Sequence, residues 1–279
     1  MNKALELHFD SLAELARWID AHDRQPEAGN VSEVEGRGDE WCPMSYDETM
    51  ALCRSGGHWP EGAEKMVAGV ADAAALRENA SQPMIENSVA GFMPDVPGYL
   101  AGVPDSMYAY NEGDMTVAQL PTVTIGIGTY SANTTSNAAM NRGIAVLSLI
   151  DAIEAVGYRV QLDYVFDCTG EDGGGTQKVR VTLKRSQDQW NPGSVAYAVA
   201  NPGMLRRQGF ALLERDPATV GRTQGGYGRG DDGYVEDYGL AFTYMRGDYG
   251  YETLEAALAS VESKAADFGI EVQLTKAGA

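Results

Sequence analysis

The sequence predicts an α/β fold with a mixed central sheet and helices on both faces of that sheet. The prediction depends mainly on residues 121–167, where apolar residues alternate, then recur every three or four positions, and then alternate again. Alternation is typical of strands, and the three-to-four spacing is typical of a helix. A strand, a helix and a strand in succession indicate a βαβ unit, whose two strands run parallel with a right-handed crossover.

A hairpin follows this unit and makes the predicted sheet mixed. Residues 158–166 and 178–184 both alternate between apolar and polar side chains, and a glycine-containing turn separates them. Two such segments joined by a turn are expected to pair antiparallel. Further along the chain, residues 240–244 and 270–274 alternate as strands, with helical spacing over residues 252–268.

The beginning of the chain is predicted to form a smaller, mainly helical subdomain. Ser45 and Glu48 have the spacing of a capping box, in which each side chain bonds the backbone N–H of the other residue. A similar pair, Ser11 and Glu14, precedes an earlier helical pattern. We therefore expect an N-terminal subdomain up to residue 80, followed by an α/β core domain over residues 81–279.

Two irregular segments interrupt the predicted core domain. Residues 83–108 are rich in proline and glycine yet contain several large apolar side chains. Because prolines prevent regular strand pairing, this segment is either an irregular crossover packed on the core or a partner-binding edge. The residues of such an edge would be Tyr99, Leu100, Met107 and Tyr108. Residues 221–239 are rich in glycine and tyrosine, and we expect a flexible loop there or a segment that a partner orders.

The composition argues against several classes of function. A formal net charge of −19 disfavours binding to DNA or RNA, because phosphate contacts need clustered Lys and Arg. No run of apolar residues is long enough to span a membrane, and the first residues lack the apolar segment of a secretory signal peptide. We therefore expect a cytoplasmic location and no membrane partner. Three histidines are too few for a histidine-rich metal site.

The polar loop over residues 129–137, after the first strand of the βαβ unit, is the candidate ligand site. In open α/β sheets, ligands bind beyond the carboxyl ends of parallel strands, where the neighbouring strand ends at Asp167. Small oxygen ligands with one carboxylate could hold Mg²⁺, and the candidates are Thr129, Ser131, Asn133 and Asp167. The N–H groups that open the helix could instead hold an anion. A purely structural interpretation is that Ser, Thr and Asn act here as N-caps and turn formers.

The same region resembles the opening of a von Willebrand factor A domain. The shared features are a strand, a short serine-containing loop, and an apolar helix ending in LIDAIEAVGYRV before the next strand. This resemblance implies a doubly wound, Rossmann-like sheet with a metal-ion-dependent adhesion site, whose first motif reads Asp-x-Ser-x-Ser. Ser131 matches that motif, whereas Thr129 and Asn133 replace its first and last residues.

A larger part of the chain, spanning residues 45–215, resembles a family of uncharacterised bacteriophage and prophage proteins. The segments VPGYLAGVPD, NRGIAVLSLIDAIEAVGYRV and NPGMLRRQGFALLER carry this resemblance. It implies a viral gene product, located in the infected bacterium or in the virion, without a defined activity.

From these observations we expect a non-enzymatic bacteriophage protein that acts by binding another protein or by self-assembly. The sequence contains neither a phosphate-binding glycine loop nor the G-x-S-x-G motif of serine hydrolases, and no cofactor is expected. One alternative is an Mg²⁺-dependent hydrolase or nuclease that uses Asp167 with the nearby acids Asp163, Glu171 and Asp172. The other alternative is a structural component of the virion.

Overall fold

A computed structural model of the protein describes most of the chain. The described residues are 5–34, 42–76, 85–89, 93–110, 122–130, 135–155, 157–169, 176–189, 191–217, 238, 240–244, 250–267, 269–272 and 274. The strands, in chain order, are β1 (Leu5–Phe9), β2 (Ile85–Ser88), β3 (Met93–Pro94), β4 (Met107–Tyr110), β5 (Thr122–Tyr130), β6 (Arg159–Thr169), β7 (Thr176–Lys184) and β8 (Leu240–Tyr244). The helices are α1 (Leu12–Ala21), α2 (Tyr46–Arg54), α3 (Pro60–Leu76), α4 (Val96–Leu100), α5 (Ser136–Ala155), α6 (Pro192–Ala200), α7 (Phe210–Arg215) and α8 (Leu254–Asp267), with a π-helix over Met204–Gly209.

The chain forms two compact units, and their boundaries differ from those that the sequence predicts. One unit comprises residues 1–77 together with 122–279, and the other comprises residues 78–121. The first helices therefore belong to the same unit as the large sheet, because β1 is one of its strands and pairs with β7. The expected separate subdomain over residues 1–80 gives way to an inserted unit in the middle of the chain.

The large sheet contains five strands in the order β1-β7-β6-β5-β8. β5 pairs parallel with β6 on one side and with β8 on the other, and α5 connects β5 to β6, which confirms the predicted βαβ unit. β6 and β7 pair antiparallel, as predicted for the hairpin, and β1 pairs parallel with β7. The fold is therefore mixed α/β with a mostly parallel sheet, consistent with a Rossmann-like arrangement.

The two faces of this sheet have different surroundings. Alternate residues of the strands, such as Ile125, Leu162 and Val181, join the described helices in a single apolar core. On the opposite face, Val165 packs with Tyr238 and Ala241 in a small separate cluster. Among the described residues, the helices contribute to the large core, and the small cluster contains no residue of a described helix.

Helix α5 lies at the centre of this core. Thirteen of its twenty residues are buried, among them Leu147 and Ile150, and it packs against α3, α6 and α8. The capping box predicted at Ser45 and Glu48 is present at the start of α2. Among the helices that the structure describes, none combines the length and the hydrophobicity needed to cross a membrane.

The predicted last strand is not formed by the described residues 270–272 and 274. The backbone N–H of Leu274 instead donates to the Glu262 carboxylate of α8, at 3.1 Å. Leu274 is fully buried, so the alternating apolar residues here reflect packing on a helix rather than strand pairing.

The inserted unit is a small antiparallel sheet with one short helix. Its three strands have the order β2-β4-β3, and β4 pairs antiparallel with both neighbours. Helix α4 follows β3 directly. The prediction of an irregular segment over residues 83–108 is therefore only partly correct, because this segment contains short regular elements.

Candidate functional site

The loop that was predicted as the candidate ligand site, at the carboxyl edge of the large sheet, is shorter than predicted. Thr129 belongs to β5, and Ser136 already opens α5, whereas Ser131 and Asn133 lie outside the described residues. Asp167 belongs to β6, where it pairs with Lys178 of β7. Because β5 and β6 run parallel, Thr129 and Asp167 lie toward the same edge of the sheet, as predicted. Whether this edge binds an ion stays a prediction.

Two contacts at this edge favour the structural interpretation of the loop. The Thr135 hydroxyl accepts a hydrogen bond from the N–H of Ala138, at 3.2 Å, and so caps the start of α5. One turn later, Arg142 is fully buried, and its Nη1 donates to the carbonyl oxygen of Gly128 at 2.9 Å. The Arg142 side chain therefore ties α5 to β5 next to Thr129.

Of the carboxylates considered for acid–base chemistry, Asp163 is the one whose side chain the structure describes. Asp163 is buried in the middle of β6, and Asp167 lies farther along the same strand. Glu171 and Asp172 lie outside the described residues. Across the residues that the structure describes, no three His, Cys, Asp or Glu side chains form a group that could hold a metal ion.

A buried polar network around α7 and the π-helix was not predicted from the sequence. The Glu214 carboxylate is fully buried and accepts hydrogen bonds from the backbone N–H groups of Val31 and Ser32, at 2.7 and 2.9 Å. The Arg207 guanidinium donates to the carbonyl oxygens of Ser32 and Met44, at 2.8 and 3.3 Å. Each charge therefore satisfies backbone groups that have no partner in a helix or strand, so the network fixes a long loop to the helical layer.

The tyrosine and the cysteine beside this network are held in their neutral forms. Burial raises the pKa of the Tyr197 hydroxyl well above its ordinary value, and burial likewise raises the pKa of the Cys53 thiol. Tyr197 donates a hydrogen bond to the Gln208 side chain of the π-helix. Because the thiolate is the nucleophilic form of cysteine, Cys53 is unsuited to covalent catalysis.

The inserted unit carries the other candidate site, an exposed apolar surface. Seven large apolar side chains are exposed among the described residues, and five of them lie between residues 89 and 103. Four lie on or just after α4 and define what we call the α4 patch: Val96, Tyr99, Leu100 and Val103. Within α4, the spacing of three and four residues brings Val96, Tyr99 and Leu100 toward one side of the helix, and Val103 follows the turn that ends the helix.

Local hydrogen bonds, rather than burial, hold α4 in place. The Asp95 carboxylate accepts from the N–H of Gly98 at 3.1 Å and caps the first turn. At the other end, Gly102 has φ +79°, and the N–H of Val103 donates to the carbonyl oxygen of Gly98 at 2.9 Å. The N–H of Gly102 donates to the carbonyl of Tyr99 at 3.0 Å, which completes a Schellman motif. None of the five described residues of α4 is buried, so its apolar side chains are not used in folding.

The partner-binding residues predicted from the sequence belong to this unit. Tyr99 and Leu100 are 71% and 79% exposed, and Met107 is half-buried. Met107 and Tyr108 lie in β4, which pairs with β3 immediately before α4. The structure therefore brings the four predicted residues into one small unit, in which α4 presents Tyr99 and Leu100 to solvent. Sequence reasoning did not find Val96 and Val103, although their spacing from Tyr99 and Leu100 was visible.

The inserted unit is also strongly acidic. Residues 78–121 contain six acidic residues and no Lys, Arg or His, which gives a formal charge of −6. Asp95 immediately precedes α4 and is buried, whereas Asp105 follows the end of α4 by five residues and is exposed. The α4 patch therefore belongs to a unit whose formal charge is negative, and one exposed carboxylate, Asp105, follows the patch in sequence.

Comparisons with known proteins define the family but no activity. Searches of the curated proteins and of the solved structures each found no match. The model of one family, described as a domain of unknown function (DUF7192), matches residues 2–271. Because the match spans almost the whole sequence, the chain belongs to this family of proteins with a domain of unknown function.

Proposed function

We propose that this protein acts without catalysis, by binding a protein partner through the α4 patch. The observation that carries the proposal is the concentration of exposed apolar side chains on a helix that contributes none of them to a core. Contiguous exposed apolar surface is uncommon in monomeric proteins and marks interaction sites. Tyrosine, the most polar member of the patch, is enriched among the residues that dominate binding energy.

The charge of the inserted unit indicates which kind of partner fits. An apolar patch in a unit of formal charge −6 is complementary to a surface with apolar side chains flanked by Lys or Arg. Face-to-face pairing of two copies would bring like charges together in a chain that carries −19 in total, and such repulsion opposes self-association. The proposed occupant is therefore a different, basic protein.

The resemblance to bacteriophage and prophage proteins extends this proposal to the biological setting. On that basis we look for the basic partner in the infected bacterium, among host proteins or other viral proteins. A structural role in the virion would require repeated contacts between copies, which the negative charge disfavours.

Selection from a random peptide library tests the proposal. Random twelve-residue peptides are selected on the full-length protein, and the dissociation constants of the best binders are measured by fluorescence anisotropy. We expect selected sequences that combine aromatic or aliphatic residues with Lys or Arg. We also expect Tyr99→Ser and Leu100→Ser to weaken binding by about tenfold or more, as for residues at the centre of an interface.

Matched control variants are available in the other unit. Tyr158 and Val67 are 43% and 48% exposed, so Tyr158→Ser and Val67→Ser remove exposed apolar side chains without touching the α4 patch. These variants should bind the selected peptides as the wild type does. Peptides that bind all four variants equally, or that are enriched in acidic residues, would contradict the proposal.

A further inference from the structure

The sheet face opposite the large apolar core contains a buried carboxylate. Asp163 of β6 is fully buried, and its neighbours in the sheet register are Gly126 of β5 and Thr182 of β7. Side chains alternate along a strand, so Asp163 points away from the helical core that contains Leu162. A buried carboxylate is costly unless hydrogen bonds compensate for the lost water, so its partners are informative.

Among the described residues, hydrogen bonds reach one oxygen of this carboxylate. Asp163 Oδ2 accepts hydrogen bonds from Gln161 Nε2 and from the Tyr238 hydroxyl, each at 3.1 Å. Asp163 Oδ1 is also buried and makes no hydrogen bond with any residue that the structure describes. Because a carboxylate offers about four acceptor positions, this group retains unused capacity to bind a donor.

The Tyr238 ring lies in a slot that requires glycine at its floor. A Cβ atom on Gly126 would lie 2.7 Å from Cγ of Tyr238, which is closer than real Cβ atoms approach other carbons. Val165 packs against Tyr238, and Ala241 of the neighbouring strand also packs against Val165. Small residues on two strands, one aliphatic side chain and a carboxylate at the end therefore form a space that fits a flat ring with a polar rim.

We propose that this slot is a binding site for a planar aromatic group that carries O–H or N–H donors, and that Tyr238 is its internal occupant. Tyr238 lies outside any helix or strand, two residues before β8, so its release would break no strand pairing in the sheet. An incoming ring would keep the contact with Gly126 and replace the phenol at Oδ2. A ligand with two donors, such as an aromatic amidine, would also reach Oδ1 and form a bidentate pair with the carboxylate.

The slot and the α4 patch belong to different units of the chain, and the two proposals stand on separate observations. Tyr238 occupies the slot as a competitor attached to the same chain, so an external ligand must be present at a concentration that overcomes this local competition. Binding to the wild type should therefore be weak, and it should increase when the tyrosine ring is removed.

The experiment uses the full-length protein with p-cresol and benzamidine as probes and toluene as the probe without a donor. Dissociation constants are measured by nuclear magnetic resonance titration of the wild type and of Tyr238→Ala. We expect p-cresol and benzamidine to bind Tyr238→Ala at least about tenfold more tightly than the wild type, and toluene to bind more weakly than p-cresol. In the Tyr238→Ala background, Asp163→Asn should weaken benzamidine by about tenfold, the ratio expected for loss of hydrogen bonds to a charged group.

Two further variants separate the slot from a general surface effect. Gly126→Ala in the Tyr238→Ala background fills the floor of the slot and should abolish p-cresol binding. Tyr238→Phe keeps the ring and removes only its hydroxyl, so it tests the proposal even where the alanine variant does not fold. Tyr238→Phe should bind benzamidine more tightly than the wild type, because the Phe ring lacks the hydrogen bond to Asp163 and is displaced more easily. Equal affinity of the wild type, Tyr238→Phe, Tyr238→Ala and the double variant Tyr238→Ala/Gly126→Ala for both probes would overturn the proposal.

Discussion

Helices α5 and α4 are both rich in apolar residues, but they lie in opposite surroundings. Thirteen of the twenty residues of α5 are buried, whereas no residue of α4 is buried. Burial against three other helices and the sheet stabilises α5, and two capping motifs stabilise α4. The difference shows that an apolar helix can be part of a core or remain exposed to solvent, and that its surroundings, not its composition, determine which.

Replacing a leucine by alanine in each of the two helices should give the largest difference in the free energy of unfolding. Leu147 of α5 is fully buried and Leu100 of α4 is 79% exposed. Leu147→Ala should lower the free energy of unfolding by about 2–5 kcal/mol, because it leaves a cavity in the core. Leu100→Ala should change it by less than about 0.5 kcal/mol, the usual range for surface positions. Denaturation in urea measures both values.

A second substitution in α5 checks that the result at Leu147 is not peculiar to that one position. Ile150→Ala should cost a similar amount, since Ile150 is also fully buried. If Leu147→Ala and Ile150→Ala both cost less than about 0.5 kcal/mol, α5 does not form the core and the comparison with α4 fails.

The capping motifs of α4 give the next largest expected effect. Asp95→Ala removes the N-cap and should destabilise α4 locally by about 0.5–2 kcal/mol. Gly102→Ala places a side chain at φ +79° and should cost about 1–2 kcal/mol. Amide hydrogen exchange should accelerate at Val103, whose N–H closes the turn, and should stay unchanged in α5.

A control for the glycine variant is present in the other unit. Gly56 also has a positive φ, +87°, with no atom near its missing Cβ. Gly56→Ala should therefore cost about as much as Gly102→Ala without altering exchange at Val103. Faster exchange throughout the chain in the Asp95→Ala variant would show that α4 depends on more than its caps.

Acidification should lower the stability of the unit that contains the large sheet, because it protonates Glu33. Desolvation raises the pKa of Glu33, but hydrogen bonds from Arg24 and Arg215 outweigh it and hold this pKa below its ordinary value of 4.5. A carboxylate with a lowered folded-state pKa stabilises the fold above its unfolded-state pKa, and this contribution is lost as the pH falls through the lowered value. Glu33 is a third exposed, so solvent screening limits the contribution to roughly 1 kcal/mol or less.

The Glu33→Gln variant isolates this effect. Its unfolding free energy should lie below that of the wild type at pH 7, and the difference should shrink toward zero as the pH falls below the ordinary carboxyl pKa. Thermal unfolding followed from pH 7 to pH 3 measures the difference. A constant difference over this range would mean that the loss is one of packing and not of charge.

The smallest expected effect on stability belongs to the proposed binding residue Tyr99. Tyr99→Ser should change the unfolding free energy by less than about 0.5 kcal/mol, because the side chain is 71% exposed. The same variant should lose peptide binding. A large loss of stability would indicate that Tyr99 helps to fold the inserted unit, and its effect on binding would then have to be assigned to unfolding.

Local patterns predicted the parts of the fold in which neighbours in sequence are neighbours in space. The βαβ unit around α5 and the hairpin of β6 and β7 were both visible as changes of period along the chain. The positions of β1 beside β7 and of β8 beside β5 were not, because such pairings join distant segments and leave no local signal. The same limit explains why residues 1–80 were expected as a separate subdomain.

The same limit applies to the candidate sites: the local site was predicted in part, and the site made of distant residues was not. The α4 patch was predicted in part, since Tyr99 and Leu100 lie in an apolar segment with too many prolines for a core element. The pairing of Asp163 with Tyr238 was not predicted, because the two residues lie far apart in the sequence and only the sheet brings them together. A buried aspartate in an alternating strand gives a weak signal, since polar positions on such a strand normally face solvent.

The pairing of β1 with β7 also has a consequence for synthesis of the chain. Leu5 pairs with Gln177, so the first strand must wait until most of the polypeptide has left the ribosome before it can enter the sheet. Strand pairings between such distant segments form late and slow the folding of a domain. Until then, β1 and the apolar side of α1 remain exposed on the nascent chain, and an early intermediate with this surface is prone to aggregate or to engage a chaperone.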